Sequence, residues 1–192
     1  MKELKAEIRS KCLAARQSLD PEYRLQADFR ICMNLEDIED ADAKLIGAYI
    51  SDGTEPDIRP FLDRMLKRGS RVCLPRYNKE KNSYEMAEVE EISGRTLVKG
   101  AYGIPEPDAH FKTLHEDSFK EMLWLVPGVA FDLSGARLGR GKGVYDRLMS
   151  EGRSRLKAGI FYECQQCASV PMDKHDCPMD MIITEEKIIR CA

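Results

Sequence analysis

The sequence has few aromatic residues, little net charge and no long apolar run. Aromatic residues make up 7% of the 192 residues, and 30 Lys and Arg face 33 Asp and Glu, giving a formal net charge of -3 at pH 7. A nucleic-acid-binding protein usually presents a basic or aromatic surface, so we expect no nucleic-acid partner. No apolar run approaches the roughly 20 residues of a membrane span, and the first residues are charged, unlike a signal peptide. We therefore expect a cytoplasmic protein without a membrane partner.

A disulfide framework is missing as well. The seven cysteines are odd in number and irregularly spaced, at positions 12, 32, 73, 164, 167, 177 and 191. Without an export signal such thiols are expected to stay reduced. Cys164, Cys167, His175 and Cys177 are close enough in sequence to be considered as zinc ligands, but their spacing matches none of the common zinc motifs well. We expect scattered thiols here in preference to a zinc site.

The most specific motif is a glycine-rich basic segment. It follows the apolar run 123–126, which a Pro-Gly pair closes in the manner of a buried strand that ends in a turn. Gly139, Gly141 and Gly143 then alternate with cations, and residues 143–150 are predicted to form a helix. Glycine lets a backbone approach an anion closely, and the free N–H groups at a helix start attract negative charge. Residues 137–143, called the glycine loop below, therefore predict a phosphate site.

Two common phosphate-binding patterns do not fit the glycine loop. The pattern GxxxxGK[ST] requires Gly at position 136 and Ser or Thr at position 143, where the chain has Ala136 and Gly143. The pattern GxGxxG requires a third glycine where Val144 stands. The segment nevertheless carries three cations, which favour an anion site over an unliganded basic turn: Arg137, Arg140 and Lys142.

Asp146 comes directly after these cations and allows two interpretations. It is either their internal ion-pair partner or a ligand for the magnesium ion that accompanies a nucleotide. A first-turn aspartate that complements the helix dipole is a plainer explanation. The choice stays open at this point.

The order of elements predicts an α/β fold, a single three-layer domain over residues 1–192 with a mostly parallel central sheet and helices on both faces. Strands are predicted at 45–50, 71–74, 84–89, 123–126, 156–161, 182–183 and 187–190. Helices are predicted near 4–13, from 21 onward, at 56–68 and at 143–150. Residues 93–120 and most of 127–143 are expected to be loop. Ligands of such sheets bind beyond the carboxyl ends of the strands, so the glycine loop and Glu55 are expected at one rim.

These motifs resemble those of the 5-formyltetrahydrofolate cyclo-ligase family. Residues 127–147, PGVAFDLSGARLGRGKGVYDR, are similar to the family signature, and weaker similarity covers nearly the whole chain, including Lys5-x-x-x-Arg9 and the stretch from His175 to Asp180. The resemblance implies an ATP-dependent ligase that converts 5-formyltetrahydrofolate into 5,10-methenyltetrahydrofolate and releases ADP and phosphate. It further implies that the formyl oxygen attacks the γ-phosphate, after which N10 attacks the activated carbon and phosphate leaves.

The resemblance also implies roles for individual residues. ATP would be bound by Lys5, Ala6, Glu7, Ile8, Arg9, Arg137, Leu138, Gly139, Arg140, Gly141, Lys142, Gly143, Val144 and Tyr145. The folate would be bound by Arg9, Ile50, Glu55, Tyr102, Arg140, Gly141, Lys142, Gly143 and Val144. Asp146 and Asp180 would hold Mg²⁺, and the cations Arg137, Arg140 and Lys142 would act in catalysis. Val144 stands where the family usually has a tyrosine, so a stacking contact at this position is lost.

Other functions are compatible with the residues alone. A non-catalytic nucleotide-binding regulator would bind ATP and magnesium without turnover, and a sugar-phosphate isomerase or CoA-transferase-like enzyme would share the α/β fold without needing ATP. Taken without the family, Lys5 and Arg9 describe a solvated helix face, and Asp180 belongs to a polar loop. We expect a monomer that acts on small-molecule substrates.

Overall fold

A computed structural model describes residues 1–38, 40, 42–100, 104–150 and 154–191. The helices are α1 (Lys2–Gln17), α2 (Pro21–Glu36), α3 (Arg59–Lys67) and α4 (Val144–Met149), with short 3-10 helices at Glu116–Glu121 and Glu163–Gln165. The strands are β1 (Leu45–Gly47), β2 (Arg71–Asn78), β3 (Ser83–Val89), β4 (Leu97–Lys99), β5 (Pro105–Pro107), β6 (Leu123–Pro127), β7 (Ala130–Phe131), β8 (Arg137–Leu138), β9 (Leu156–Ile160), β10 (Met181–Ile183) and β11 (Ile188–Arg190).

Seven of these strands form one mixed sheet in the order β11-β10-β9-β6-β1-β2-β3. The five inner strands run parallel to one another, and β3 and β11 close the two edges in the antiparallel direction. The remaining strands pair as two small antiparallel ribbons, β4 with β5 and β7 with β8. The predicted α/β fold with a mostly parallel sheet is confirmed.

Helices cover both faces of this sheet. Successive side chains of a strand point to opposite faces, and β6 divides accordingly. Leu123 and Leu125 pack with the buried faces of α2 and α3, whereas Trp124 and Val126 pack with residues of α4 and the 3-10 helix at Glu116–Glu121. A third, smaller apolar cluster lies under α1 and includes Cys12 and Leu138. The three-layer arrangement follows from these two packed faces.

The start of α2 follows its predicted chemistry. The Asp20 carboxylate accepts hydrogen bonds from the backbone N–H groups of Glu22 and Tyr23, and Pro21 occupies the first helical turn. A side-chain cap and an early proline are the expected helix start, because the first N–H groups have no partner within the helix. No helix in the described ranges is long and apolar enough to cross a membrane.

Two segments that were expected to be loop contain short strands. Residues 93–120 include β4, β5 and a 3-10 helix, and residues 127–143 include the ribbon of β7 and β8. The β7–β8 ribbon reverses near Gly135, whose φ is +86°, and Asp132 N–H donates to the Ala136 carbonyl across the turn. Strands of two or three residues are too short to show an alternating pattern, so periodicity could not predict them.

Candidate active site

A cavity of about 300 Å³ opens beyond the carboxyl ends of β1 and β6, beside β2. One wall is largely apolar and aromatic and is formed by Tyr49, Ile50, Leu74, Pro75, Tyr84 and Ile104. Ionisable side chains line the rest, namely Glu55, Glu106, Arg137, Arg140, Lys142 and Asp146. The volume is that of a small-molecule site, and the position is the rim where α/β sheets bind ligands.

The glycine loop forms one side of this cavity and takes a conformation that requires glycine. Gly141 has φ +92° and Gly143, which precedes α4, has φ +60°. The Arg9 guanidinium would lie 3.6 Å from a Cβ added at Gly141, and Arg9 Nε donates to the Gly139 carbonyl at 2.8 Å. Helix α1 is thereby joined to the loop, and the ATP and folate contacts predicted for Arg9 stay predictions.

Arg137 is buried and holds the loop in place. Its guanidinium donates to the Pro127 carbonyl at 3.1 Å and to the Asp146 carboxylate at 2.7 Å. In this structure Asp146 is therefore the ion-pair partner of a loop cation, the first of the two interpretations. The Cys177 N–H also donates to Asp146, at 3.3 Å. Both groups fix the carboxylate at the wall of the cavity.

Arg140 reaches across the cavity mouth to the segment that follows β1. Its guanidinium forms an ion pair with Asp52 and lies 3.2 Å from Glu55 Oε1. Burial alone would lower the pKa of Arg140, but the charges of Glu55 and Asp52 outweigh it and raise that pKa. Burial would likewise raise the pKa of Asp52, yet hydrogen bonds from Arg140 and Thr54 lower it to about 2. Both groups are charged at neutral pH.

Glu55 is buried between two arginines. Burial raises the pKa of its carboxyl group, and the charges of Arg140 and Arg16 oppose that rise. Arg16 is only 1% exposed, and it donates to the Gly128 carbonyl at 3.2 Å and to Thr54 Oγ1 at 2.8 Å while lying 4.0 Å from Glu55. A buried carboxylate needs such partners, because an isolated buried charge is costly.

Arg16 and Asp52 were missed by the sequence reasoning. A signal for Arg16 was available, since positions 5, 9, 12 and 16 share one face of a helix at 3.6 residues per turn. In the structure that face of α1 is turned toward the body of the protein, with Lys5, Cys12 and Arg16 buried. Asp52 carries no comparable signal, because its turn reads as an ordinary polar loop.

Lys5 makes its contacts away from the glycine loop. Its ammonium donates to Asp173 at 2.8 Å and to Asp176 at 2.6 Å. Burial acts to lower the pKa of Lys5, but the hydrogen bonds and charges of the two aspartates raise it. Among the described residues that line the cavity, none comes from α1. The ATP contacts predicted for Lys5, Ala6, Glu7 and Ile8 therefore stay predictions, supported only by the docking of α1 through Arg9.

The two predicted magnesium ligands lie in different places. Asp146 faces the cavity, whereas Asp180 precedes β10 and accepts a hydrogen bond from the Lys157 N–H at 2.8 Å. That position is the amino end of β10, the opposite end from the cavity. The structure does not bring Asp180 to the cavity, so its role as a ligand stays a prediction.

In the part of the chain that the structure describes, no group of three or more His, Cys, Asp or Glu side chains is placed so that it could hold a metal ion. The described residues therefore give no support to a zinc site at the cysteines.

The remaining predicted residues divide into three groups. Ile50 and Val144 line the cavity, as the predicted folate contacts require. Tyr145 also lines it, and its hydroxyl donates to the Ala48 carbonyl at 3.4 Å while burial raises its pKa. Leu138 is buried in the small cluster under α1, so its side chain packs and does not face a ligand. Tyr102 lies outside the described residues.

Comparison with known proteins agrees with this geometry. The sequence model of the 5-formyltetrahydrofolate cyclo-ligase family matches residues 1–185. The chain is similar to the NMR structure of 5,10-methenyltetrahydrofolate synthetase from Aquifex aeolicus, with 34% identity, a TM-score of 0.82, and coverage of 97% of this chain and 92% of that one. A probable 5-formyltetrahydrofolate cyclo-ligase of Schizosaccharomyces pombe is 34% identical over 144 residues, which are 69% of this chain and 70% of the relative.

A bacterial relative also matches most of the chain. The 5-formyltetrahydrofolate cyclo-ligase of Haemophilus influenzae is 27% identical over 176 residues, covering 90% of this chain and 93% of the relative. The glycine loop, the cavity and the sheet order thus occur together in a chain whose similarity to these enzymes is not confined to one motif. This protein belongs to the 5-formyltetrahydrofolate cyclo-ligase family.

Proposed function

We propose that this protein is an ATP-dependent 5-formyltetrahydrofolate cyclo-ligase that forms 5,10-methenyltetrahydrofolate, ADP and phosphate. The observation that carries the proposal is the cavity at the carboxyl ends of β1 and β6, where a cationic glycine loop faces an apolar wall. Membership of the cyclo-ligase family supports the same reaction. The chain's own residues then have to hold a polyphosphate on one side and a folate ring system on the other.

The cations of the glycine loop are suited to the phosphoryl-transfer step. Negative charge on the transferred phosphoryl group must be stabilised while the formyl oxygen attacks it, and most of the catalysis is positioning and electrostatics. Arg140 and Lys142 line the cavity and would contact the phosphates, while Arg137 fixes the loop through Pro127 and Asp146. Loop N–H groups would add neutral donors. Once phosphorylated, the formyl oxygen leaves as phosphate after N10 attacks the carbon.

The apolar wall and Glu55 are suited to the folate. A ring system such as the pterin gains from contact with Ile50 and Tyr84, and its ring N–H groups can donate to a carboxylate. Glu55 lies at the junction between this wall and Arg140. We propose that Glu55 orients the ring so that the formyl oxygen faces the glycine loop. Because Arg16 and Arg140 balance its charge, Glu55 can remain a buried acceptor.

Of the two predicted magnesium ligands, Asp146 lines this cavity and Asp180 does not. Mg²⁺ is usually held by one or two carboxylates together with phosphate oxygens and water, and Asp146 is a cavity-lining carboxylate of this kind. A bound ion would neutralise part of the charge on the nucleotide phosphates. For Asp146 to act as a ligand, it has to share its oxygens with Arg137 or release that cation.

From composition and charge we propose where the enzyme acts and what it binds. It is a cytoplasmic monomer whose residues 1–192 form a single domain and whose partners are small molecules. The formal net charge of -3 offers no general attraction for nucleic acid. At the cavity, Arg137 and Arg140 pair with acidic side chains and do not form a basic surface.

The reaction itself provides the test. Purified protein is incubated with 5-formyltetrahydrofolate, ATP and Mg²⁺ while the absorbance of the methenyl product and the release of ADP are followed. We expect both products in equal amounts, and neither when ATP is omitted. ADP without a methenyl product would indicate another acceptor, and a nucleotide that binds without turnover would support a regulator. Either result would refute the proposal.

A further inference from the structure

A pair of thiols joins the first helix to the second half of the chain. Cys12 Sγ on α1 lies 3.5 Å from Cys167 Sγ, and 155 positions separate the two residues in sequence. Cys12 is buried in the small cluster under α1, and Cys167 is half-buried beside it. The Cys167 N–H donates to the Phe131 carbonyl at 2.8 Å, which anchors Cys167 to strand β7. Both cysteines are free thiols in the structure.

The contact matters because of what else α1 carries. The same face of the helix holds Lys5, bound to Asp173 and Asp176, and Arg9, bound to the Gly139 carbonyl of the glycine loop. Together with the buried contacts of Arg16 and the small apolar cluster under the helix, they join α1 to the rest of the protein. A helix outside the central sheet that is held by a few such contacts opens locally more easily than a core strand. A covalent bond at Cys12 would stop that opening.

We propose that Cys12 and Cys167 are a reversible dithiol–disulfide site that, on oxidation by a peroxide, fastens α1 to the body of the protein. Cys164 is exposed in the 3-10 helix Glu163–Gln165, three residues before Cys167, and is the competing thiol. The geometry favours Cys12 as the partner of Cys167, since these two sulfur atoms already touch. Cys167 thereby gains a function other than metal binding, and Cys164 does not take part in it.

The oxidation balances as a two-electron step. The Cys167 sulfur attacks one oxygen of hydrogen peroxide, the O–O bond breaks, and a sulfenic acid and one water result. The Cys12 sulfur then attacks the Cys167 sulfur, the S–O bond breaks, and the departing hydroxide takes the Cys12 proton to form a second water. Burial, reinforced by the hydrogen bond to Cys167, raises the pKa of Cys12 to about 12, so Cys12 is the slower nucleophile and reacts second. A dithiol reductant reverses the reaction.

Peptide mapping can identify the bond without ambiguity. Trypsin releases Cys12 in peptide 12–16 and Cys167 in peptide 158–174, and in a Cys164→Ser variant the second peptide contains no other cysteine. The folded variant is treated with hydrogen peroxide, its remaining thiols are alkylated, and the peptide masses of the tryptic digest are measured by mass spectrometry. We expect a cross-linked pair of these peptides, about 2 Da lighter than their sum because two hydrogens are lost, and its disappearance with dithiothreitol.

Stability is the second readout. A disulfide that closes so long a loop should raise the melting temperature of the oxidised protein by about 5–10 °C. The rise should be absent in Cys167→Ser and, separately, in Cys12→Ser, whereas Cys191→Ser, a control at another half-buried thiol, should keep it. A Cys164–Cys167 disulfide in the wild-type protein with Cys12 unmodified would overturn the proposal. So would a cross-link that leaves the melting temperature unchanged.

Discussion

Two of the cations that line the cavity are held by carboxylates. Arg137 pairs with Asp146, and Arg140 pairs with Asp52 and Glu55. A phosphate that enters the cavity must therefore share these cations with acids that are already in place. Such pairing keeps the positive side chains ordered and reduces the reorganisation needed when charge develops in the reaction.

Removal of a loop cation should impair turnover. We expect Arg140→Ala and Lys142→Ala each to lower kcat/KM by more than about 10-fold, the scale for the loss of a charged contact to a developing phosphate. Steady-state kinetics with 5-formyltetrahydrofolate and ATP would measure this. Lys120→Ala, an exposed cation of the 3-10 helix, is the control and should leave the rate unchanged. Near-wild-type rates in both loop variants would contradict the assignment.

Arg16 should matter for stability through Glu55. In Arg16→Met the buried carboxylate loses one of its two cations, and we expect the free energy of unfolding to fall by about 3 kcal/mol. Glu55→Gln removes the charge itself. The double variant should therefore lose less unfolding free energy than the two single variants lose together, by at least about 1 kcal/mol. Urea unfolding of all four proteins completes the cycle. Strict additivity would show that the two side chains do not interact.

At the scale of elements, the site depends on short connections and on one helix face. The glycine loop begins with β8, and the Asp52–Glu55 turn comes shortly after β1. Neighbouring parallel strands β1 and β6 bring these two connections to the same rim. The β7–β8 ribbon between them sets the direction in which Arg137 enters the cavity wall.

The turn of this ribbon can be tested with a matched pair of glycines. Gly135 and Gly53 have nearly the same φ, +86° and +87°, but a Cβ at Gly135 would lie 2.3 Å from the Met179 carbonyl oxygen, whereas the space at Gly53 is open. Gly53→Ala should cost about 1 kcal/mol from backbone strain alone. Gly135→Ala should cost at least about 3 kcal/mol, because backbone must also move. If denaturant unfolding gave the same loss of unfolding free energy for both variants, the ribbon backbone would be able to shift at little cost.

Elements with a clear apolar pattern were predictable, and the contacts between distant segments were not. The apolar spacing of α3 and the short apolar run of β6 marked both elements, and the cap at Asp20 marked the start of α2. Position beyond a strand end also predicted that Glu55 shares a rim with the glycine loop. Arg140 pairing with Asp52 could not be predicted, because it depends on the order of β1 and β6 in the sheet and not on either local pattern.

At the scale of the whole molecule, an exposed apolar stripe lies on α2. Leu25, Phe29 and Met33 are 73%, 68% and 45% exposed and form one stripe at a spacing of four residues. Three such side chains offer on the order of 350 Å², which is less than the roughly 800 Å² per partner of a stable interface. The stripe alone is therefore too small to hold a dimer together.

We accordingly expect a monomer of about 21.9 kDa in light scattering after size exclusion at micromolar concentration. Phe29→Ser, at the centre of the stripe, should give the same mass as the wild-type protein. A wild-type mass near twice this value that falls to the monomer in Phe29→Ser would contradict the monomer and identify the α2 stripe as the interface.

The long sequence separation of the contacts at α1 has a consequence for synthesis of the chain. Helix α1 is made before its partners, since Arg9 binds a carbonyl 130 positions later and Lys5 binds an acid 168 positions later. Contacts of such separation form only after most of the loop-closure entropy has been lost. During translation Lys5 can therefore form its ion pairs only after residues 173–176 have left the ribosome. A nascent chain shortened before these residues would contain the glycine loop and still lack the acids that anchor Lys5.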